Sequence, residues 1–415
     1  MTNAELKEIL LERFLRYVRV ETTSDPASAS CPSTPGQIEF AQQLLVEMER
    51  IGLVQCRLDE NGYLYGTLPT NETPTAIPVI GFLAHIDTSP AVSGANVEPR
   101  VHRNYSGGTI AIDAGEDIIL SPAECPALSN HVGHDIVTAG GGTLLGADNK
   151  AGIAIILSFI QFLLDDPETR HGTVQVAFTP DEEIGRGMDN FDVARFAATY
   201  AYTVDGDLLG SMEDECFNAD AVEIEIHGRS IHPGSARNLM ANAARITAEI
   251  AASWPETMLP ETTTGRQGFV MFTDMTANVE YARVSGIVRH HDMDAFAALK
   301  DRLAAIVDEI AGKHPNATID MQFDEQYRNM KTVIDAHPSV VEKLRLAYAD
   351  EGVTANIKAI RGGTDGSRLS FMGVPTPNIF TGGMNFHGRD EWISADSMVK
   401  AVKVLRSLAR RWTEA

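Results

Sequence analysis

The sequence predicts an α/β protein: a three-layer α/β/α domain with a mainly parallel sheet, interrupted by an inserted ferredoxin-like α+β domain. Three observations carry this. Short apolar runs such as Val79-Ile80-Gly81-Phe82-Leu83-Ala84 alternate with amphipathic stretches over the first half of the chain, the pattern of strands and helices in a parallel sheet. Near Cys216 the character changes: Val222-Glu223-Ile224-Glu225-Ile226 alternates with period two, as a sheet with one wet face does. Beyond residue 325 the first pattern resumes. The 415 residues exceed what one core usually spans. The predicted bounds are 1–215 with 326–415 for the first domain and 216–325 for the insertion.

In chain order, Asn3 is placed to cap a helix with Leu6, Ile9, Leu10, Phe14 and Leu15 on one face. Ser24 to Pro35 is polar and turn-rich, a loop. Thr34-Pro35-Gly36-Gln37 resembles a capping box with Pro at the first helical position, opening a helix through Met48 that Gly52 stops. Val54 to Leu58 and Tyr63 to Leu68 flank Asn61-Gly62, a hairpin signal. The apolar run 79–84 reads as a strand buried on both faces and delivers His85-Ile86-Asp87-Thr88 at its end. Ala91 to His134 reads as loops and short strands. Thr143 to Gly152 leads into a helix over Ile153 to Leu164, and Thr173 to Phe178 is the next strand, ending at Thr179-Pro180-Asp181-Glu182-Glu183-Ile184-Gly185. Ala201 to Val204 is another, ending at Asp205-Gly206. Within the insertion the expected order is strand (222–226), helix (239–252), strands (270–272 and 279–288), helix (295–310) and strand (317–323). A helix from Ser339, strands at Ile357 to Ile360 and Asn378 to Phe380, and a last helix from about Ala395 complete the first domain.

Composition narrows the function. With 34 Lys and Arg against 57 Asp and Glu, the net charge is −23. Such a chain repels nucleic acid and anionic membranes. Cys31, Cys56, Cys125 and Cys216 are scattered without a CxxC pair, which argues against a disulfide framework or a zinc knuckle. Residues 1–20 have no apolar core of a signal peptide, and no run approaches the ~18 apolar residues of a membrane span. A cytoplasmic protein is expected.

Several strand ends carry a histidine or an acid: His85 and Asp87, Asp148, Glu182 and Glu183, and Asp205. His387 follows another strand across a Gly-rich loop. Sites of open α/β sheets lie at the carboxyl ends of strands, so these residues are expected to converge. Two histidines and several carboxylates without cysteine suit two zinc ions or related divalent metals, and five ligands serve two metals if one carboxylate bridges. Asp87, two residues beyond His85 on a strand, points to the same side and is placed to hold the imidazole. Of the adjacent acids Glu182 and Glu183, one can bind metal while the other handles a proton. Asp181 reads as a turn residue.

These residues sit in longer strings: Gly81-Phe82-Leu83-Ala84-His85-Ile86-Asp87-Thr88-Ser89-Pro90, Thr143-Leu144-Leu145-Gly146-Ala147-Asp148, Ala177-Phe178-Thr179-Pro180-Asp181-Glu182-Glu183, Tyr202-Thr203-Val204-Asp205-Gly206, His232-Pro233-Gly234, Ile360-Arg361-Gly362-Gly363-Thr364-Asp365-Gly366, and Phe380-Thr381-Gly382-Gly383 with His387-Gly388. In this order, over nearly the whole chain, they resemble the peptidase T family of tripeptide aminopeptidases. That family lies in the di-zinc superfamily that includes aminoacylases and carboxypeptidases.

The resemblance implies that His85, Asp148 and Asp205 hold one zinc ion. Asp148 would bridge to a second, held by Glu183 and His387. Glu182 would be the general base and Asp87 the residue that orients His85. It implies that the inserted domain is a lid, that His232 on it stabilises the oxyanion after closure, and that Arg289 and Arg361 bind the peptide. A homodimer through the lid is a further expectation. The implied reaction is hydrolysis of the N-terminal bond of a tripeptide by a hydroxide bridged between the metals. A dipeptidase, aminoacylase or carboxypeptidase of the same superfamily is the alternative within this enzyme class. A catalytically dead peptide-binding protein on the same fold is the alternative outside it, and would lack a ligand or the base. The chain departs from the family at Asn149, where Asp is common, at Asp207, where Gly is expected and a negative charge is added near the site, and at His290-His291-Asp292, which replaces a more acidic string. A cis peptide between Asp148 and Asn149 is also implied.

Overall fold

The computed structural model describes residues 2–73, 77–113, 115 and 117–414. Ala114 and Glu116, inside the long loop segment read from the sequence, lie outside the described residues. The chain forms two compact units. The first comprises Met1–Asp214, Thr332–Lys358 and Thr364–Ala415, and the second Glu215–Lys331 with Ala359–Gly363.

The first unit is built on an eight-stranded sheet. Its centre is four strands, Val174–Thr179, Ile80–His85, Tyr200–Gly206 and Asn378–Phe380, paired parallel in that order. Antiparallel neighbours extend it on both sides, the hairpin Val54–Leu58 and Leu64–Leu68 on one and Ser211–Glu215 on the other, and Asn356–Ala359 forms the edge beyond Ser211–Glu215. The central strands are mostly apolar and mostly buried because helices cover both faces. Phe82, Val174, Val176 and Phe178 point into the larger core under the helices Asn3–Tyr17, Ala147–Asp165 and Ala395–Arg411. Leu83 and Ala177 point to the opposite core, where Tyr63, Phe191, Phe196 and Leu369 pack. The layers and the parallel centre are those the sequence predicts. A small antiparallel sheet, Gly383–Met384, Trp392–Ser394, Ile136–Thr138 and Arg100–His102, stands beside them.

The second unit is a four-stranded antiparallel sheet in the order Phe269–Ala277, Tyr281–His290, Asn218–His227, Thr318–Tyr327. The helices Ala243–Ser253 and Met293–Lys313 complete the β-α-β-β-α-β succession. Val222, Ile224 and Ile226 face those helices, and the intervening Glu223 and Glu225 face away.

Several local expectations change. Thr2, not Asn3, caps the first helix: Glu5 N–H donates to Thr2 Oγ1 (3.3 Å) and Thr2 N–H to Glu5 Oε2 (2.7 Å). No capping box forms at Thr34; Gln37 Nε2 donates to Asp181 Oδ1 at 2.7 Å instead. Ser211–Glu215, too acidic to read as a strand, is a fully buried one. Residues up to Lys331 and the segment Ala359–Gly363, which the sequence placed with the first domain, cluster with the second unit. Arg361 is the reason for the latter. Its guanidinium donates to Gly265 O and Gln267 O (both 3.1 Å) and to Thr263 Oγ1 (2.7 Å), and it lies over the Phe217 and Phe269 rings. Finally, one helix among the described residues is long and apolar enough to cross a membrane by length and composition, although polar residues interrupt it. This is Ala147–Asp165, and 83% of its apolar window is buried inside the fold.

Candidate metal centre

The strand Ile80–His85 ends with His85 almost fully buried. Its Nδ1–H donates to the Asp87 carbonyl (3.0 Å). A carbonyl only accepts, so Nδ1 carries a proton; Nε2 lies 2.9 Å from Asp148 Oδ1 and 3.6 Å from Asp205 Oδ1. Burial acts to lower the pKa of His85, but Asp205, Asp148 and Asp87 outweigh it and hold it well above its ordinary value. The Asp87 carboxylate lies 3.3 Å from the same Nδ1. It accepts the backbone N–H groups of Glu182 (3.0 Å) and Glu183 (3.1 Å). Asp87 thus ties the His85 strand end to the loop that bears both glutamates.

Asp148 stands at the start of the helix Ala147–Asp165, before the chain settles into helical geometry, and its peptide to Asn149 is cis. Its Oδ1 faces His85 and its Oδ2 faces His387 Nε2 (3.1 Å). Asp205 ends the strand Tyr200–Gly206, with its N–H donating to Asn378 Oδ1. Glu183 Oε2 lies 2.9 Å from His387 Nε2. Two groups of potential ligand atoms result, His85–Asp148–Asp205 and Asp148–Glu183–His387, each within 4.8 Å. Asp148 belongs to both.

Electrostatics follow from burial of so many acids. Burial lifts Glu182 well above the carboxylate range, reinforced by Asp365, Asp205 and Glu183 and opposed by His85. Glu183 is pushed up to about 7 by burial and by Asp148, against His387. Burial and Asp148 likewise raise Asp205. Burial also acts to raise Asp148, but His387 and His85 outweigh it and hold Asp148 below its ordinary value. The bonds to Asp148 and Glu183 raise His387 to about 11. Buried like charges of this kind call for a cation. Glu183 Oε1 fits that demand, being buried with no hydrogen-bond partner.

Three further acids hold the site from behind, and the sequence reading missed their part. Asp181 is fully buried rather than a surface turn residue, with φ of 58°. It accepts from Ser33 N–H, Ser33 Oγ and Gln37 Nε2, which pins the Glu182–Glu183 loop to the helix Pro35–Ile51. Asp365 accepts from Thr179 Oγ1 (2.6 Å) and presses on Gly187, where a Cβ would meet its carboxylate at 2.0 Å. Glu391 accepts three backbone N–H groups from the segment that carries Asp148. Asp365 sat in a motif already singled out, so its position was a signal; Glu391 had none beyond lying four residues after His387.

The remaining predicted residues lie in the second unit. His232 is exposed, and its Nδ1 accepts from Gly234 N–H, which leaves the ring proton on Nε2. Arg289 is buried; it donates to Asp220 O, Val288 O and Gln326 Oε1 and lies over the Tyr327 ring. Arg361 is bound as described above. Of the departures, Asn149 is buried and its Oδ1 accepts from Gly152 N–H (3.1 Å). Asp207 pairs with Lys358, so the negative charge expected there is locally balanced. Asp292 caps the helix Met293–Lys313.

The model of peptidase family M20/M25/M40 matches residues 139–411. Peptidase T of Geobacillus thermodenitrificans is 47% identical over 400 residues, covering 96% of this chain and 97% of the relative. Peptidase T of Alkaliphilus oremlandii is 47% identical over 406 residues, covering 98% and 99%. Among solved structures, the aminopeptidase PepT of Bacillus cereus superposes with a TM-score of 0.75 at 21% identity, covering 98% of this chain and 99% of that one. A Staphylococcus aureus tripeptidase gives 0.76 at 18%, covering 99% of each. A Bacillus subtilis dinuclear metal binding peptidase gives 0.64 at 13%, covering 98% of each. With a family match across most of the ligand-bearing segments and near half identity over the full length of peptidases T, the chain belongs to peptidase family M20/M25/M40, in its peptidase T branch.

Proposed function

We propose that this peptidase is a metal-dependent aminopeptidase that hydrolyses the N-terminal peptide bond of tripeptides. The observation that carries the reading is the pair of ligand groups joined through Asp148, with Glu182 beside them. The donor set is two imidazoles and three carboxylates without thiolate, which suits zinc or a related divalent ion. The inward-facing Nε2 of His85, between Asp148 and Asp205, and the partnerless Glu183 Oε1 support the same fit. His85, Asp148 and Asp205 would hold one ion, and Asp148, Glu183 and His387 the other. When bound, such a pair lowers the pKa of water and polarises a carbonyl.

The chain's own residues supply the rest. Asp87 keeps the His85 proton on Nδ1 and fixes the glutamate loop. Glu182, whose proton affinity is raised by burial and by its acidic neighbours, takes the proton of the attacking water and passes it to the departing amine. Relatives named peptidase T and a fold neighbour named tripeptidase support the substrate class. Peptide binding by Arg289 or Arg361 would require each to exchange the bonds it makes here.

The test is a panel of dipeptides, tripeptides, N-blocked tripeptides and N-acyl amino acids, with zinc returned to the apo-protein. Cleavage confined to tripeptides with a free amine is expected. Preference for N-acyl amino acids or blocked peptides would move the protein to an acylase or carboxypeptidase reading.

A further inference from the structure

We propose that Glu391 is a positioning residue that sets the spacing between Asp148 and His387, and thereby the metal affinity of the Asp148–Glu183–His387 group. The proposal rests on the two-metal reading above. Glu391 is 1% exposed. It stands on the loop that joins the paired strands Gly383–Met384 and Trp392–Ser394, the same loop that presents His387. Its Oε2 accepts from Leu145 N–H (2.7 Å) and Gly146 N–H (2.8 Å), and its Oε1 from Asp148 N–H (3.1 Å). These donors open the helix Ala147–Asp165, whose cap residue Gly146 has no side chain to satisfy them. One buried carboxylate therefore fastens the segment carrying Asp148 to the loop carrying His387.

His387 needs that anchor. It is 44% exposed, adopts φ of 64°, and reaches Asp148 Oδ2 and Glu183 Oε2 from a loop rather than from a strand or helix. Asn385 Nδ2 donates to Asp390 Oδ2 (2.7 Å) and closes the loop on itself, but that bond does not fix its distance from Asp148. The three bonds to Glu391 do. His85 and Asp205, by contrast, sit on adjacent central strands, so their spacing does not depend on Glu391.

The experiment measures zinc uptake by apo-protein against a chromophoric chelator, for the wild type, Glu391→Gln and Glu47→Gln. The amide of Glu391→Gln keeps the shape but sets a donor against at least one of the three N–H groups. The expected result is two zinc equivalents in each protein, with the second bound ten- to a hundredfold more weakly in Glu391→Gln and the first weakened less, since it shares Asp148 but keeps His85 and Asp205 in place. Glu47→Gln removes another buried carboxylate, one bound to Arg13, Arg16 and Tyr17 away from the site. It should lower the unfolding midpoint without moving either affinity. Should Glu391→Gln fail to fold, Glu391→Asp, which withdraws the carboxylate by one methylene, is measured in its place with the same expectation. Unchanged second-site affinity, or an equal loss at both sites, overturns the proposal. Wild-type protein that takes up fewer than two equivalents overturns the metal reading, and the proposal with it.

Discussion

Replacing Asp87 with Asn tests how the two ligand-bearing strand ends are joined. The side chain keeps its shape and burial, but it loses its charge and one of its two oxygens. In the wild type, Oδ1 accepts Glu182 N–H at 3.0 Å and Oδ2 accepts Glu183 N–H at 3.1 Å. The amide answers one of these and turns its own N–H groups against the other. A hydrogen bond to a charged group contributes about 1.5–3 kcal/mol, and tenfold in an equilibrium or rate corresponds to about 1.4 kcal/mol. Losing one such bond should therefore cost roughly ten- to 150-fold in kcat/KM, by displacing Glu182 and loosening His85. The assay is tripeptide hydrolysis at saturating zinc, with circular dichroism to check the fold. The loss should fall mainly on kcat, since Asp87 is placed to act through Glu182 and His85 rather than on substrate. A folded variant with wild-type kcat/KM would refute the argument.

Glu182→Gln should bind zinc as the wild type does yet lose at least ~100-fold in kcat; retained turnover in metal-loaded protein would remove Glu182 as the base. Chelation should abolish tripeptide cleavage and zinc should restore it, whereas activity that survives exhaustive dialysis against chelator, with metal analysis at zero, would rule out the metal reading. Glu47 gives a stability prediction with a defined sign. Burial acts to raise its pKa, but Arg13 and its other partners outweigh this and hold it below 4.5 in the folded state. Its contribution is therefore complete above pH 4.5 and is lost as pH falls through the lower folded value. The difference in unfolding free energy between the wild type and Glu47→Gln, measured in urea, should shrink as pH falls below 4.5, and a pH-independent difference would contradict it.

Much of the frame was legible because it rests on periodicity. The run 79–84 is apolar throughout and 173–178 mostly so, and the strands they form, Ile80–His85 and Val174–Thr179, are buried except at Gln175. The Asn61-Gly62 turn joins the antiparallel hairpin as expected. His85, Glu182, Glu183 and Asp205 could be located because strand ends are identifiable in a sequence. Asp148, read as another strand end, stands at a helix start instead, and the structure brings His85, Asp148, Asp205, Glu183 and His387 into two groups that share Asp148. What escaped notice are buried acids held by backbone and side-chain donors distant in the sequence. Ser211–Glu215 has almost no hydrophobic signal, yet it is a buried strand whose Glu213 accepts from Asn378 and faces Lys358. Glu391 and Asp181 look like surface loop residues by composition. Their burial depends on N–H groups and side chains far away in the sequence, which no local pattern announces.

The helix Ala147–Asp165 has a consequence for how the site opens. Its residue Gly152 lies so close to the strand Tyr200–Gly206 that a Cβ would sit 2.0 Å from Val204 O. Asp148 and Asp205 thus stand on elements in direct contact within the main core. Backbone amides along that helix should exchange with deuterated solvent only when the whole unit unfolds, while those around His387 should exchange by local fraying of the exposed loop. The two halves of the site then differ in lifetime: one is as durable as the fold itself, and the other is held at the end of a short tether.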